Sequence, residues 1–159
     1  MKNQNRLKLL NFIPPFFILL LSLWAVPFFV FAQSFTLHGE VRFEGKGTVF
    51  ISLVDRESFR QPEKGIANQV FPPLAEGQEN PETRTTRSFS FQDVPPGTYA
   101  IVGFLDTNGN SKLDTGLFGP TEPWGMSFRA SRPLFRAPRF EEVSFTVPGE
   151  IRYFTIELR

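Results

Sequence analysis

The residues most suited to chemistry lie in segment 106–114, which reads DTNGNSKLD. Calcium takes about six to eight oxygen ligands, and alternate residues of a tightly curled loop can converge to supply them. We therefore predict a calcium site here, with Lys112 contributing its carbonyl and Glu122 adding a ligand from outside the segment. Side-chain oxygens fall at the first, third, fifth and ninth positions, at Asp106, Asn108, Asn110 and Asp114.

The same residues also allow a simpler interpretation of the segment. Asn and Asp side chains hydrogen-bond to their own backbone in turns, so the loop could be held without an ion. The segment departs from an EF-hand because Ser111 stands at the sixth position and Leu117 at the twelfth. With few formal charges facing the ion, we expect an affinity in the range of extracellular modules.

A second candidate site follows directly, in residues 116–139. Trp124 offers a flat apolar face and one donor, which suits a ligand contact. Four arginines follow within eleven residues, and guanidinium groups suit carboxylate, sulfate or phosphate groups. We predict Trp124, Arg129 and Arg132 as ligand-binding residues. The alternatives are an aromatic cluster that packs back on the domain and a solvated basic loop.

Composition narrows the classes of function. The chain has 159 residues, no Cys and one His, which rules out disulfides, thiolate zinc sites and cysteine nucleophiles. Residues 33–159 hold 14 basic and 16 acidic side chains, a net charge of −2. We expect no nucleic-acid partner, because that requires a basic surface. His38 is predicted to be a solvent-facing spacer in the first strand.

The N-terminus resembles a secretory signal. Lys2, Arg6 and Lys8 precede a 23-residue apolar stretch, 9–31, that ends in small or modest residues. We predict cleavage after Ala32 and a periplasmic or extracellular domain without a membrane span. Because the stretch is long enough to cross a bilayer, the alternative is an N-terminal membrane anchor.

Residues 33–159 are predicted to form one antiparallel β-sandwich of six or seven strands. Apolar and polar residues alternate with a period of two, which is typical of half-buried strands. No three-turn apolar stripe of helical spacing appears. The predicted strands are 35–43, 47–55, 87–91, 99–105, 143–147 and 152–158.

The connections between these strands are also predicted. Residues 44–47 are expected to form a hairpin turn, and residues 56–84 and 106–140 two long loops, the first of them solvated. Residues 94–99, VPPGTY, predict a type II turn with a positive φ at Gly97. The ring of Tyr99 should be buried after this corner, with its hydroxyl bonded to nearby backbone.

Three segments carry a resemblance to a known family. They are residues 91–100 (FQDVPPGTYA), 104–114 (FLDTNGNSKLD) and 122–125 (EPWG). Together they resemble domain of unknown function 2141, an uncharacterised family of exported bacterial proteins. The first segment is more loosely similar to carboxypeptidase regulatory-like and transthyretin-like sandwiches. The resemblance implies a prealbumin-like, immunoglobulin-like β-sandwich and transfers no catalytic residue.

Three hypotheses for function follow from the sequence. The first is a non-catalytic binding or adhesion-type domain of the cell envelope, with an envelope protein or glycan as its partner. The second is an accessory component that packs into an envelope assembly. The third is a carbohydrate-active enzyme that uses two of Asp93, Glu122, Glu141 and Glu142, although nothing in their spacing brings two carboxylates to the required separation.

Overall fold

The computed structural model describes residues 33–75, 84–128, 136–149 and 153–159. The chain divides into two units, Met1–Phe31 and Ala32–Arg159, and all described residues belong to the second. The predicted leader and its cleavage point lie outside the described residues. Within the described part of the chain, no helix is long and apolar enough to cross a membrane.

The described residues form an all-β sandwich, as the alternating sequence pattern predicted. They also contain one helical turn, α1, and a short 3-10 turn at Pro62–Lys64. The elements are β1 (Phe35–Phe43), β2 (Thr48–Val54), β3 (Ala67–Phe71), β4 (Thr85–Val94), β5 (Gly97–Asp106), β6 (Thr115–Gly116), β7 (Gly119–Pro120), β8 (Trp124–Met126), α1 (Phe140–Val143), β9 (Phe145–Val147) and β10 (Tyr153–Glu157).

Two sheets face each other, and a small hairpin of β6 and β7 lies outside them. The first sheet has the order β10-β1-β4 and the second the order β3-β2-β5-β8, with β9 paired to the start of β5. Pairing is antiparallel except between β1 and β10, which run parallel. The predicted antiparallel pairing is therefore correct for every strand pair among the described residues except β1 with β10.

The core lies between the two sheets and follows the alternation of the strands. Leu37, Val41 and Phe43 of β1 meet Val49 and Ile51 of β2 in one buried cluster. Because side chains alternate across a strand, the intervening residues of β1 face outward, and His38 is exposed as predicted. The hydrophobic alternation thus assigned the inner face of β1 correctly.

The predicted hairpin at 44–47 is wrong. β1 pairs with β4 and β10, whereas β2 pairs with β3 and β5, so residues 44–47 carry the chain from one sheet to the other. A hairpin and a crossover between sheets both need a short turn with glycine. Only the choice of strand partners distinguishes them, and that choice depends on contacts distant in sequence.

The described part of the predicted solvated loop 56–84 is more ordered than expected. Residues 67–71 form β3, which pairs along β2 from Leu53 to Val49. Phe59 joins a second buried cluster on the outer face of the larger sheet, where α1 supplies Phe140 and Val143. Phe59 therefore packs on the outer face of the larger sheet, whereas residues 67–71 extend that sheet as a strand.

The corner before β5 holds Tyr99 as the sequence predicted. Its hydroxyl donates a hydrogen bond to the carbonyl of Pro95 at 3.1 Å, and burial raises the pKa of the phenol. Gly97 does not adopt the predicted positive φ. A Cβ at Gly97 would lie 2.7 Å from the Tyr99 hydroxyl oxygen, so glycine is needed there for close approach.

We expect Tyr99→Phe to lower the free energy of unfolding by about 1 kcal/mol, because the carbonyl of Pro95 loses its donor while the ring stays packed. Urea denaturation followed by circular dichroism measures the change. Tyr153→Phe is the control, since Tyr153 is 57% exposed and its hydroxyl bonds only at the surface, to Glu40. Equal midpoints for both variants would show that the corner bond contributes nothing.

Candidate functional site

The loop that follows β5 is built around one buried carboxylate, that of Asp106. This residue is the last of β5 and is only 2% exposed. One carboxylate oxygen accepts hydrogen bonds from the backbone N–H groups of Gly109 and Asn110, at 2.7 and 3.2 Å. The other accepts from Ser111 N–H at 2.7 Å. Three donors of the loop therefore turn inward to a single side chain.

The loop curls because two of its residues adopt left-handed backbone geometry. Gly109 has φ near 78° and Ser111 has φ near 60°. Glycine takes this region without steric cost, whereas serine does so less readily. The three N–H bonds to Asp106 hold Ser111 in place, which explains how the loop tolerates a residue other than glycine at this point.

The side chains of Asn108, Asn110 and Asp114 form a second cluster on the outer side of the loop. Amide nitrogens of Asn108 and Asn110 donate to the Asp114 carboxylate at 2.6 and 3.0 Å. Their amide oxygens accept from the backbone N–H groups of Asn110 and Lys112, at 3.1 and 2.8 Å. Both amides thus present nitrogen, and not oxygen, to the carboxylate.

Glu122, predicted as an additional metal ligand, closes the loop from its far end through hydrogen bonds to the chain itself. It is 6% exposed, and its first oxygen accepts from the backbone N–H and the hydroxyl of Thr107 at 2.8 and 3.0 Å. The second accepts from Asp114 N–H at 3.1 Å. Glu122 therefore ties the beginning of the loop to its end.

The structure brings together the predicted metal residues Asp106, Asn108, Asn110, Asp114 and Glu122 in one loop. Lys112 is exposed in the same loop. Within the described residues, no group of three or more His, Cys, Asp or Glu side chains is close enough to hold a metal ion. The observed bonds follow the Asx-turn interpretation, in which the side chains satisfy the backbone of their own loop.

The hairpin of β6 and β7 projects from this loop and ends in two apolar residues. Thr115 pairs with Pro120 and Gly116 with Gly119, which leaves Leu117 and Phe118 as the two-residue connection. Leu117 is 92% exposed and Phe118 is 100% exposed. We call these two residues the hairpin tip. One alternative for residues 116–139 was that their apolar side chains pack back on the domain, and these two do not.

Trp124 lies at the end of a row of apolar side chains on the outer face of the larger sheet. In the strand register Val70 lies opposite Phe50, Phe50 opposite Phe104, and Phe104 opposite Trp124. The rings of Phe50 and Phe104 are stacked, with centroids 4.9 Å apart. We call these four residues the aromatic row. It crosses four strands, so no local sequence pattern could have revealed it.

The arginines predicted to bind ligands are only partly described. Arg129 and Arg132 lie outside the described residues. Arg136 bonds to Glu142 at 3.0 Å, and this bond, with one from the backbone N–H of Arg139, lowers the pKa of Glu142 to about 2. Glu141 pairs with Arg56. The Arg56 pair joins α1 to the segment after β2, whereas the Glu142 bonds stay within residues 136–142.

We expect Asp106→Ala to lower the free energy of unfolding by about 2 to 4 kcal/mol, because three inward-facing N–H groups lose a charged acceptor. Chemical denaturation measures the change, and hydrogen exchange at Gly109 and Ser111 reports on the loop itself. Lys112→Ala is the matched control from the same loop and should change stability by less than about 0.5 kcal/mol. Similar changes in the free energy of unfolding for both variants would show that Asp106 does not organise the loop.

Comparisons with known proteins give one match. The sequence profile of a bacterial family, described as "Uncharacterized protein conserved in bacteria (DUF2141)", matches residues 43–153. No curated protein and no solved structure matches the chain significantly. The matched range contains the Tyr99 corner, the Asp106 loop, the hairpin tip, the whole larger sheet and β4 of the smaller one. Since it spans more than half of the chain, the protein belongs to the DUF2141 family.

Proposed function

We propose that this protein is an exported, non-catalytic binding domain of the bacterial cell envelope, which contacts an envelope protein or glycan through the aromatic row. The observation that carries the proposal is the row itself. Val70 is 53% exposed, and Phe50, Phe104 and Trp124 are each partly exposed beside it. An apolar strip on the surface of a sheet is typical of an interaction site.

The position of the row supports this role. Part of the same outer face is covered by the second buried cluster, in which Phe59, Phe140 and Val143 pack on Val102. The domain therefore covers one part of this face with its own chain and leaves apolar surface on the row. A stacked pair such as Phe50 and Phe104 is already rigid, so little entropy is lost when it binds.

The carboxylates named for an enzyme are arranged in ways that favour a structural role. A general acid needs a raised pKa, but hydrogen bonds lower the pKa of Glu141 and hold that of Glu142 at about 2. Glu122 is buried and accepts three hydrogen bonds from the loop. Asp93 is bonded to Ser34 at 3.4 Å. These contacts support the assignment of a non-catalytic domain.

Export is proposed from the leader sequence, with three basic residues before a 23-residue apolar stretch. The absence of Cys also suits an exported bacterial protein that folds without disulfides. An accessory role within an envelope assembly is the alternative to free ligand binding. The aromatic row serves both, because a packing contact and a ligand contact both bury apolar surface.

We expect the protein comprising residues 33–159 to co-sediment with cell envelopes isolated from the bacterium that produces it, and Trp124→Ala to reduce the bound fraction at least fivefold. Tyr153→Ala, exposed on the other sheet, is the control and should bind like the parent. Pronase treatment of the envelopes separates the partners, since a protein ligand is lost and a glycan ligand is retained. Equal binding of Trp124→Ala and parent would refute a role for the row.

A second proposal concerns calcium, which we infer from the spacing of oxygens in the Asp106 loop. A carboxylate oxygen that accepts one N–H bond retains capacity for another partner, so the network around Asp106 is compatible with a cation. The amides of Asn108 and Asn110 would have to turn their oxygens away from the backbone donors they now accept. This cost is consistent with a modest affinity.

If calcium binds, 10 mM calcium should raise the melting temperature of residues 33–159 by about 5 °C or more over the chelated protein, for a dissociation constant near 10⁻⁴ to 10⁻³ M. Asp114→Asn should abolish the rise, because it removes one formal charge while keeping the shape of the side chain. Magnesium at the same concentration controls for ionic strength. Identical melting curves with calcium and with chelator would discard the ion and leave the hydrogen bonds as the sole organisers.

A further inference from the structure

We propose that the hairpin tip, Leu117 and Phe118, inserts into an apolar pocket with a positively charged rim on a partner protein. This surface is distinct from the aromatic row, so either proposal can fail without the other.

The exposure of the tip is the first observation. Among the described residues, Phe118 and Leu117 are the most exposed large apolar side chains, well above Tyr153 and Val70. They are adjacent, and together they form the two-residue connection of the hairpin. Single apolar residues are common on protein surfaces, but two neighbours that are fully exposed on a projection are characteristic of a binding anchor.

The tip is also held rigidly at its base. Thr121 donates from its backbone N–H and its hydroxyl to the carbonyl of Asp114, at 2.9 and 3.3 Å. Asp114 N–H in turn donates to the buried Glu122. These bonds fix the residues on either side of the hairpin. A preformed projection loses little conformational freedom on docking, which favours a shaped pocket as its receptor.

The charge around the tip indicates the chemistry of that pocket. Residues 106–122 contain three acids, Asp106, Asp114 and Glu122, and one base, Lys112. The three carboxylates accept hydrogen bonds from backbone, hydroxyl and amide groups, and the ion pairs found among the described residues do not include them. Their negative field attracts a basic rim and opposes approach to an anionic lipid surface.

A second copy of the chain fits the tip less well. Two convex tips packed against each other would bury at most about 1,000 Å², since they present four large apolar side chains and even an aromatic one buries no more than about 250 Å². Stable interfaces bury about 1,200 Å² or more. A concave pocket surrounds the same two side chains and also contacts the loop behind them, so it gives the larger interface.

The topology leaves the tip accessible. Phe35, the first residue of β1, pairs with Val94, and both lie near the start of β5. The hairpin follows Asp106, at the other end of the ten-residue β5 and about 30 Å away. The loop that carries the tip therefore lies at the end of the sandwich opposite the first residue of β1.

The test places a photoreactive benzoylphenylalanine at position 118 in the producing bacterium, and at position 153 as an exposed control. We expect a protein adduct that forms at 118 and not at 153. The captured protein is then purified and its affinity is measured for the parent domain, for Phe118→Ser and for Ile66→Ser. Phe118→Ser should weaken binding at least tenfold while its melting temperature stays within about 2 °C, because the removed ring is exposed. Ile66→Ser should bind like the parent, because Ile66 is an exposed apolar residue outside both the tip and the aromatic row.

Two further measurements test the proposal: the salt dependence of binding and co-sedimentation with lipid vesicles. Raising sodium chloride from 50 to 500 mM should weaken the complex, as a basic rim requires. Vesicles of phosphatidylethanolamine and phosphatidylglycerol at 3:1 should not co-sediment with the domain. The proposal is overturned if vesicles capture the parent but not Phe118→Ser, if Phe118→Ser binds the captured protein as tightly as the parent, or if position 118 gives no protein adduct. Loss of binding in Trp124→Ala alone would instead support only the aromatic row.

Discussion

The loop at the end of β5 depends on one interaction, the acceptance of three backbone N–H groups by the buried carboxylate of Asp106. A curled loop with left-handed residues cannot satisfy its backbone donors through strand pairing. An ionised side chain inside the curl does so with charge-assisted bonds. Beyond the curl, Glu122 joins Thr107 to Asp114, and β8 returns to pair with β5.

The loop and the sheets support each other. Asp106 belongs to β5, the strand that pairs with β2, β8 and β9, so its side chain stands on the most highly connected strand of the fold. After the loop, Trp124 returns to pair with Phe104. The polar network therefore stabilises the loop at the end of β5, and apolar side chains are exposed on two separate surfaces. This division of roles supports the proposed binding function.

Much of the fold could be predicted from alternation alone. β1, β2, β4, β5 and β10 lie close to where the apolar period of two indicated them, and Tyr99 occupies the expected corner. β3 was missed because its few apolar residues sit among prolines and charges. Val143 was assigned to the strand of Phe145 but belongs to α1. Its burial fits both structures, because it lies three residues after Phe140 on a helical turn and two residues before Phe145 on a strand. Residues 44–47 were predicted as a hairpin because a crossover between sheets needs the same kind of short turn with glycine.

The sequence by itself determined which residues face the core, where the chain turns and which oxygens gather in the Asp106 loop, because these depend on neighbours within a few positions. The tertiary structure decided which donors those oxygens accept, that β1 pairs in parallel with β10, and that Val70, Phe50, Phe104 and Trp124 align in one row. It also decided that Leu117 and Phe118 remain in solvent. Strand register and exposure arise from contacts between segments distant in sequence, and local periodicity carries no information about those contacts.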